Sequence, residues 1–309
     1  MKVKHLLVIA VVVTALGVAA FFSSSTTKVG VNLPHSESPR FLYEIAGDSP
    51  DRRLKEPTYA IAGSAGNVFV SDSGNRLVKV FDSDGRFLYQ LGGPESNKQL
   101  VYPYGIGLLD DDRTIVADVG AGALYEFNSK GKYVKTWLEA KEKAQPAGVF
   151  VTRDKSVYVT DLAGNQVLVF SGKGELLQKI RSPKVTLKAP QGIAVNDDGT
   201  VWVADGGNYN VKLLKPDGEL LTVFDGGPKW PLTMAKGLAV DQQGRVYVAD
   251  TLSNLVRVFD KDGNDLFTIG PVNDKPSVFR LPVGLSIDRA GRIYIADQAN
   301  SKIQVWGWR

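Results

Sequence analysis

Six aspartates recur along the chain at intervals of 43 to 47 residues, each at the end of a short apolar run. Six carboxylates brought together could hold a cation, because calcium prefers carboxylate oxygens as ligands. A residue present in every copy of a unit is, however, more economically explained as scaffold, since an Asp that closes a strand can accept backbone N–H groups across the following turn. We therefore predict structural turn residues at Asp72, Asp118, Asp161, Asp205, Asp250 and Asp297.

Composition excludes cysteine and histidine chemistry from the repeated region. The sequence has no Cys, and its two histidines, His5 and His35, precede the first repeat. Cys–His nucleophiles and zinc sites need these side chains close together. We accordingly predict no catalytic residue, no cofactor and no bound metal.

The repeated unit contains four short apolar runs and no helical period. In the fourth copy these runs are 192–195, 201–204, 211–214 and 220–224, with a short turn at 196–199. Connections of two to four residues join antiparallel neighbours, so each unit is predicted to be a four-stranded antiparallel sheet. Six such sheets of about 45 residues each indicate a β-propeller.

The strings Gly-Ile-Ala-Val, Val-Trp-Val-Ala-Asp and Val-Arg-Val-Phe-Asp, with an Asn after the Asp, resemble the NHL repeat. The resemblance covers residues 40–309 and implies an all-β, six-bladed propeller with four antiparallel strands in each blade. Proteins of this fold include scaffolds, lyases and lactonases, so the resemblance implies no single activity. Similar propeller lactonases hold a divalent cation at the channel mouth through Asn, Asp and a Glu, and related amidating lyases need histidine. This chain has Glu56 near the first-blade position and neither Asn nor Asp at the other five, which argues against a metal site.

One ring of residues is predicted to surround the mouth of the central channel, because each member stands just after the proline or alanine that begins an inner strand. In ring order its members are Thr58, Tyr104, Ala147, Gln191, Lys236 and Val283. The long, variable connections belong to the same face, here called the long-loop face, and such loops on a rigid frame commonly bind partners. We predict a site for a protein or small ligand at Tyr102, Tyr104, Gln191, Trp230 and Lys236. The alternative for Trp230 and the tyrosines is packing between blades.

The two ends of the repeated region are predicted to meet in one blade. The last copy ends after its third strand, at 303–306, which would leave an unpaired edge. The string Phe41-Leu-Tyr-Glu-Ile-Ala-Gly repeats the outer strand of the first copy, Phe87-Leu-Tyr-Gln-Leu-Gly. An N-terminal strand is therefore expected to complete the sixth blade.

The N-terminal segment is predicted to be a signal anchor or transmembrane helix at residues 1–22. Lys2 and Lys4 precede an apolar run at 6–22, which as a helix would be about 25 Å long, close to the ~30 Å hydrocarbon core. A cleaved signal peptide is the alternative. Residues 23–39, rich in Ser and Thr, are predicted to be a flexible linker to the propeller at 40–309. The basic end favours an extracytoplasmic propeller, secreted if the segment is cleaved.

Charge argues against nucleic acid as a partner. The chain has 37 basic and 33 acidic residues, a net charge of only +4 at pH 7. That balance provides no strong electrostatic surface for phosphate backbones. We predict a membrane-tethered, exported, monomeric propeller that binds a protein or a ligand through its long-loop face. A propeller lactone hydrolase or lyase with a site at the channel mouth is the alternative.

Overall fold

The computed structural model describes residues 38–110, 113–181, 186–270 and 278–308. These residues form six four-stranded antiparallel sheets, here called blades 1 to 6, which confirms the six-bladed, all-β prediction. The predicted helix at 1–22 and nearly all of the linker lie outside the described residues, as do parts of two long connections. Within the described ranges there is no helix of the length and apolarity that a membrane span requires.

The strands follow one another from the inner to the outer position of each blade, except that β1 (Arg40–Ile45) belongs to blade 6. Blade 1 consists of β2 (Pro57–Ala62), β3 (Val68–Asp72), β4 (Leu77–Phe81) and β5 (Phe87–Leu91). Blade 2 consists of β6 (Pro103–Asp110), β7 (Arg113–Asp118), β8 (Ala123–Asn128) and β9 (Tyr133–Leu138). Blade 3 consists of β10 (Pro146–Val151), β11 (Val157–Asp161), β12 (Gln166–Phe170) and β13 (Leu176–Ile180).

The other three blades repeat this order. Blade 4 consists of β14 (Pro190–Val195), β15 (Val201–Asp205), β16 (Asn210–Leu214) and β17 (Leu220–Phe224). Blade 5 consists of β18 (Ala235–Val240), β19 (Val246–Asp250), β20 (Leu255–Phe259) and β21 (Asp265–Ile269). Blade 6 consists of β22 (Pro282–Ile287), β23 (Ile293–Asp297), β24 (Lys302–Gly307) and then β1. Short 3-10 turns occur at Pro50–Arg52, Ser73–Asn75, Pro94–Ser96, Ala140–Glu142, Gly206–Asn208, Thr251–Ser253 and Gln298–Asn300.

Alternation along the inner strands supplies the core between blades. Side chains alternate between the two faces of a strand, so Leu238 and Val240 of β18 point the same way. Both pack in one apolar cluster with Trp202 and Ala204 of β15 in the preceding blade. Equivalent clusters occur around the ring, and burial of these apolar surfaces stabilises the frame.

The predicted closure of the ring is confirmed. Strand β1 pairs antiparallel with β24, with Phe41 opposite Trp306 and Ile45 opposite Ile303. Ile45 is only 1% exposed, and an ion pair of 2.7 Å joins Glu44 to Lys302 across the two strands. The N-terminal strand therefore covers the edge of blade 6 that the last repeat leaves open.

Candidate functional site

The six repeated aspartates fix the loops that lead into each blade from the one before, here called inter-blade loops. All six side chains are buried, with 0 or 1% exposure. Each accepts backbone N–H groups 16 or 17 residues upstream, as in the 2.6 Å bond from Lys188 to Asp205. The predicted bond to the following turn occurs only in blades 2 and 3, at Asp118 and Asp161, within the described residues. Two of the six aspartates thus make the predicted bond across the turn, whereas all six anchor the inter-blade loop.

In most of these carboxylates the second oxygen accepts a hydrogen bond or ion pair from a third-strand side chain, or a hydrogen bond from the Asn of the repeat. Asn208 Nδ2 donates to Asp205 at 2.8 Å, and the buried Lys212 ammonium forms an ion pair with the same oxygen. Blade 1 repeats this arrangement with Asn75 and Lys79, the latter 2.8 Å from Asp72. These carboxylates are fully used inside the frame, which fits their predicted scaffold role.

The ring at the channel mouth is positioned by close contact between neighbouring inner strands. In five of the six contacts a glycine of one blade faces the backbone carbonyl of the next mouth residue. A Cβ on any of these glycines would lie 2.1–2.6 Å from that oxygen, so only glycine allows the approach. The glycines are Gly105, Gly148, Gly192, Gly237 and Gly284. Blade 1 has Tyr59 at the equivalent position, and there Ser73 donates to the Pro103 carbonyl at 2.6 Å.

Two side-chain hydrogen bonds join different blades on the long-loop face, and one of them links two residues of the mouth ring. The Tyr104 hydroxyl of blade 2 donates to Gln191 Oε1 of blade 4 at 2.7 Å, passing blade 3 where the mouth residue is the small Ala147. Gln298 Nε2 of blade 6 donates to the Tyr102 hydroxyl at 3.2 Å. Burial raises the pKa of both tyrosines, so both hydroxyls remain protonated at neutral pH. The structure thus joins two of the predicted site residues, Tyr104 and Gln191, and pairs a third, Tyr102, with Gln298. The sequence analysis missed Gln298 because it lies in a second-to-third-strand loop.

Lys236 stands at the mouth without a partner. Its side chain is half-buried and has neither a hydrogen bond nor an ion pair among the described residues. Burial lowers the pKa of its amine. Thr58 and Val283, its neighbours in the ring on the side away from Gln191, are fully buried and offer no exposed group to a ligand.

Trp230 lies apart from the channel mouth, in the inter-blade loop that leads into blade 5. Its backbone carbonyl accepts a hydrogen bond from Arg257 on the third strand of that blade, and its side chain is 62% exposed. The alternative prediction, that Trp230 packs between blades, is therefore wrong. Tyr102 and Tyr104 fit neither prediction fully: both are partly buried, as packing would require, but their hydroxyls bond to residues of the long-loop face.

Large exposed apolar side chains lie in two places, on the outer strands and in the loops of the long-loop face. One group lies on the outer strands: Phe41, Leu42, Leu88, Val134, Leu176, Leu177, Leu221 and Val223. The other lies in loops of the long-loop face: Val101, Tyr209, Trp230, Leu252, Val278 and Leu281. The described residues place none of them on the opposite face, here called the short-turn face. Leu252 and Leu281 are close together, since the Leu281 N–H donates to Asn254 at 2.8 Å.

The short-turn face carries a cavity that the sequence analysis missed. A funnel of about 940 Å³ is lined by the inner strands and first turns of blades 3 to 6. The funnel adjoins a smaller channel cavity of about 130 Å³. Both cavities share four lining residues: Phe150, Val151, Val240 and Ile287. The first turns of the blades are short and similar in sequence, so they gave no indication of a cavity. Phe150 could have indicated one, because most blades have a small residue at this inner-strand position.

No group of three or more His, Cys, Asp or Glu side chains within the described residues is arranged to hold a metal ion. Glu56, the one carboxylate expected near the mouth, is exposed, and its charge acts on Tyr102.

Comparison with known proteins identifies the repeat. The NHL repeat model matches residues 187–212, 232–259 and 279–306. The E3 ubiquitin-protein ligase NHLRC1 of Rattus norvegicus is 30% identical over 186 residues, which cover 56% of this chain and 46% of that protein. NHL repeat-containing protein 3 of Mus musculus is 29% identical over 216 residues, 61% of each chain. The chain thus spans less than half the length of the NHLRC1 proteins that it matches.

Solved structures show the same fold at low sequence identity. A gluconolactonase of Xanthomonas campestris aligns with a TM-score of 0.64 and 18% identity over 89% of this chain and 96% of that one. Virginiamycin B lyase of Staphylococcus aureus aligns with a TM-score of 0.60 and 14% identity over 87% of this chain and 84% of that one. At such identities the likeness concerns the fold alone. Together with the six blades it shows the six-bladed β-propeller fold, and the repeat match shows that this chain carries NHL repeats at 187–212, 232–259 and 279–306.

Proposed function

We propose that the propeller is a binding module that holds a protein partner on its long-loop face. The observation that carries the proposal is the set of six large apolar side chains exposed in the loops of that face. Trp230 at 62%, Leu252 at 56% and Tyr209 at 53% are the most exposed of them. Exposed aromatic and aliphatic groups clustered on one surface typically supply the anchoring residues of protein interfaces.

Hydrogen bonds between blades support a firmly held protein-binding surface on this face. The Tyr104–Gln191 and Tyr102–Gln298 hydrogen bonds link blade 2 to blades 4 and 6 on this face. A partner can therefore contact a broad, rigid surface whose loops are fixed by buried aspartates. Among the relatives, the E3 ubiquitin-protein ligase acts on proteins, as its name says, which is consistent with a protein partner.

The proposal is tested by replacing exposed apolar residues on two different surfaces. Trp230→Ala and Leu252→Ser should each weaken partner binding about tenfold or more, because buried anchor residues dominate interface energies. Leu177→Ser is the matched control: Leu177 is 58% exposed but lies on the outer strand β13. The partner is first captured by crosslinking in membrane extract, and its affinity for each variant is then measured with both proteins purified. Equal losses for Leu177→Ser and Leu252→Ser would contradict the proposal.

A lactone hydrolase or lyase acting at the channel mouth is the second candidate, and Lys236 is the observation that favours it. A half-buried lysine with a lowered pKa has a larger neutral fraction, so more of it is available to act as a general base near neutral pH. Hydrolysis of a panel of lactones by the purified propeller, lost in Lys236→Met and unaffected by Trp230→Ala, would favour this candidate over the first.

We also propose that residues 1–22 tether the propeller to a membrane with the repeats on the extracytoplasmic side. The proposal is supported by the apolar run at 6–22 and by the lysines that precede it. Fusion of alkaline phosphatase, which is active only after export, to the C-terminus should give an active enzyme in the membrane fraction. Activity of a cytoplasmic reporter at the same position would contradict it.

A further inference from the structure

Gln191 and Lys236 are neighbours in the ring at the channel mouth, on blades 4 and 5. The Gly192 backbone packs against the Lys236 carbonyl, since a Cβ on this glycine would lie 2.6 Å from that oxygen. A Cβ on Gly206 of blade 4 would lie 3.0 Å from the Ala235 carbonyl and 3.1 Å from Gln191 Nε2. The amide of Gln191 and the backbone of blade 5 beside Lys236 therefore approach the same part of the mouth.

Both side chains have donors without an acceptor. Gln191 Oε1 accepts from the Tyr104 hydroxyl at 2.7 Å, and burial raises the pKa of this tyrosine, so the hydroxyl keeps its proton. This bond directs the Nε2 of Gln191 away from Tyr104, and Nε2 has no acceptor among the described residues. The Lys236 ammonium has none among them either. Two neighbouring donors, one of them charged, are thus available to an incoming acceptor.

No carboxylate among the described residues neutralises Lys236. The mouth ring contains neither Asp nor Glu, and burial alone lowers the pKa of the lysine amine. Glu56, close to the mouth, exerts its charge on Tyr102 instead. A half-buried ammonium without an acceptor destabilises the fold, and a carboxylate brought by a partner would offset this cost through charge-assisted hydrogen bonds.

The loops around this part of the mouth carry mostly positive exposed charge. In the described parts of the loops that lead into blades 4, 5 and 6, the exposed basic residues are Arg181, Lys188, Lys229 and Arg280. The exposed carboxylate of the same stretches is that of Asp225, which accepts the Gly227 N–H at 2.9 Å. The repeated aspartates beneath these loops are buried and cannot contact a partner. Exposed charge of this sign favours an acidic segment.

We propose that the protein partner is acidic where it meets the mouth, and that one of its Asp or Glu side chains binds between the Lys236 ammonium and Gln191 Nε2. The exposed Trp230, Leu252 and Leu281 of the same face contact apolar residues of the partner beside this carboxylate. The carboxylate site rests on the proposed protein-binding function and adds the chemistry of the partner to it.

The site is tested first without the partner, on the purified full-length chain and three tripeptides. Acetyl-Leu-Glu-Leu-amide has its carboxylate on a side chain, acetyl-Leu-Gln-Leu-amide has none, and acetyl-Leu-Gln-Leu has it at a free C-terminus. Saturation-transfer NMR measures each affinity. We expect the first peptide to bind saturably and about tenfold more tightly than the second. No saturable binding of the first peptide, or equal binding of these two, would overturn the proposal. Tightest binding of the third would overturn the side chain as the source of the carboxylate.

Two variants test the two donors. Lys236→Met removes the ammonium, and Gln191→Glu places a carboxylate of the same shape beside it. Each should weaken the Glu-containing peptide about tenfold or more, and Gln191→Glu should also raise the melting temperature. Lys229→Met is the matched control, because this lysine is exposed in the loop that leads into blade 5, and it should change the affinity less than about threefold. Unchanged affinity in a folded Lys236→Met or Gln191→Glu variant would overturn the placement of the carboxylate.

The captured partner distinguishes failure of this site from failure of the proposed function. Its affinity should fall about tenfold or more in Lys236→Met, as in Trp230→Ala. A loss in Trp230→Ala and Leu252→Ser with none in Lys236→Met would leave protein binding in place and overturn the acidic contact. No loss in any of the three variants would contradict the proposed function as well. Capture that ribonuclease abolishes would assign the basic loops to RNA and overturn the acidic protein segment.

Discussion

At the scale of single residues, the buried carboxylates stabilise the folded propeller, whereas the unpartnered Lys236 destabilises it. Asp205 satisfies a backbone N–H of the inter-blade loop, the amide of Asn208 and the ammonium of Lys212. Each of those groups is costly to leave unpaired in a buried place. Lys236 is half-buried without any such compensation.

Replacement of Asp205 should therefore lower stability before it affects binding. We expect Asp205→Ala to reduce the free energy of unfolding by about 3–5 kcal/mol, because Lys212 is left as an uncompensated buried charge. Urea denaturation of the isolated propeller measures this loss. Asp217→Ala removes an exposed carboxylate from a turn of the same blade and should cost less than about 1 kcal/mol. A folded Asp205→Ala variant that selectively loses partner binding would assign the aspartates a functional role instead.

Replacement of Lys236 should raise stability in a pH-dependent way. Burial lowers the pKa of this lysine in the folded state, so the unfolded state binds its proton more tightly. The resulting cost is fully present at neutral pH and disappears as the pH rises from the lowered folded value through the unfolded value near 10.5. Lys236→Met should thus melt at a higher temperature than the unmodified protein at pH 7, and the difference should shrink at alkaline pH. A difference that grows toward high pH would contradict this account.

At the scale of strands and blades, ring closure depends on a short segment that is far from its partner in sequence. Strand β1 has six residues, and its pairing with β24 turns an exposed edge into an interior one. Trp306 illustrates the gain: it is 5% exposed and packs edge-on against Phe41 at 6.0 Å.

Truncation separates this strand from the segment that precedes it. Removal of residues 1–39 should leave a soluble propeller, whereas removal of residues 1–47 should expose β24 and cause aggregation or a large loss of stability. Thermal melting and light scattering of the two truncated proteins measure the difference. Equal melting temperatures would show that β1 is dispensable.

At the scale of the whole molecule, the two faces of the propeller have different chemistry. The long-loop face exposes large apolar groups, and the short-turn face has charged turns around a recessed funnel. Carboxylates are numerous on both, yet most of those described here are held by backbone N–H groups or basic side chains.

Calcium should accordingly have little effect on the folded protein. A ligand raises the melting temperature only in proportion to its affinity for the native state, so we expect millimolar calcium or a chelator to shift it by no more than about 1 °C. Differential scanning calorimetry with and without added calcium provides the measurement. A rise of several degrees with calcium would revive the lactonase hypothesis.

The repeat made the fold predictable, and the lack of repetition limited the prediction of the site. Strand positions in blade 4 were predicted to within two residues, because proline, aspartate and turn positions hold one register in every copy. The Tyr104–Gln191 bridge joins residues 87 positions apart, and no periodic pattern encodes such a contact. Likewise, the exposure of Trp230 depends on the path of a single long loop. The funnel is formed jointly by the inner strands and first turns of blades 3 to 6, so the sequence of a single repeat does not reveal it.

The pairing of β1 with β24 has a consequence for biosynthesis. Glu44 and Lys302, which form an ion pair across these strands, are separated by 258 positions in the chain. At a synthesis rate of about 5–20 residues per second, the N-terminal strand waits roughly ten seconds to a minute before its partner leaves the ribosome. During that time the backbone of β1 and the side chains of Phe41 and Ile45 lack their native cover. The ring therefore cannot close before β24 has been synthesised, so this closure is a late step in folding.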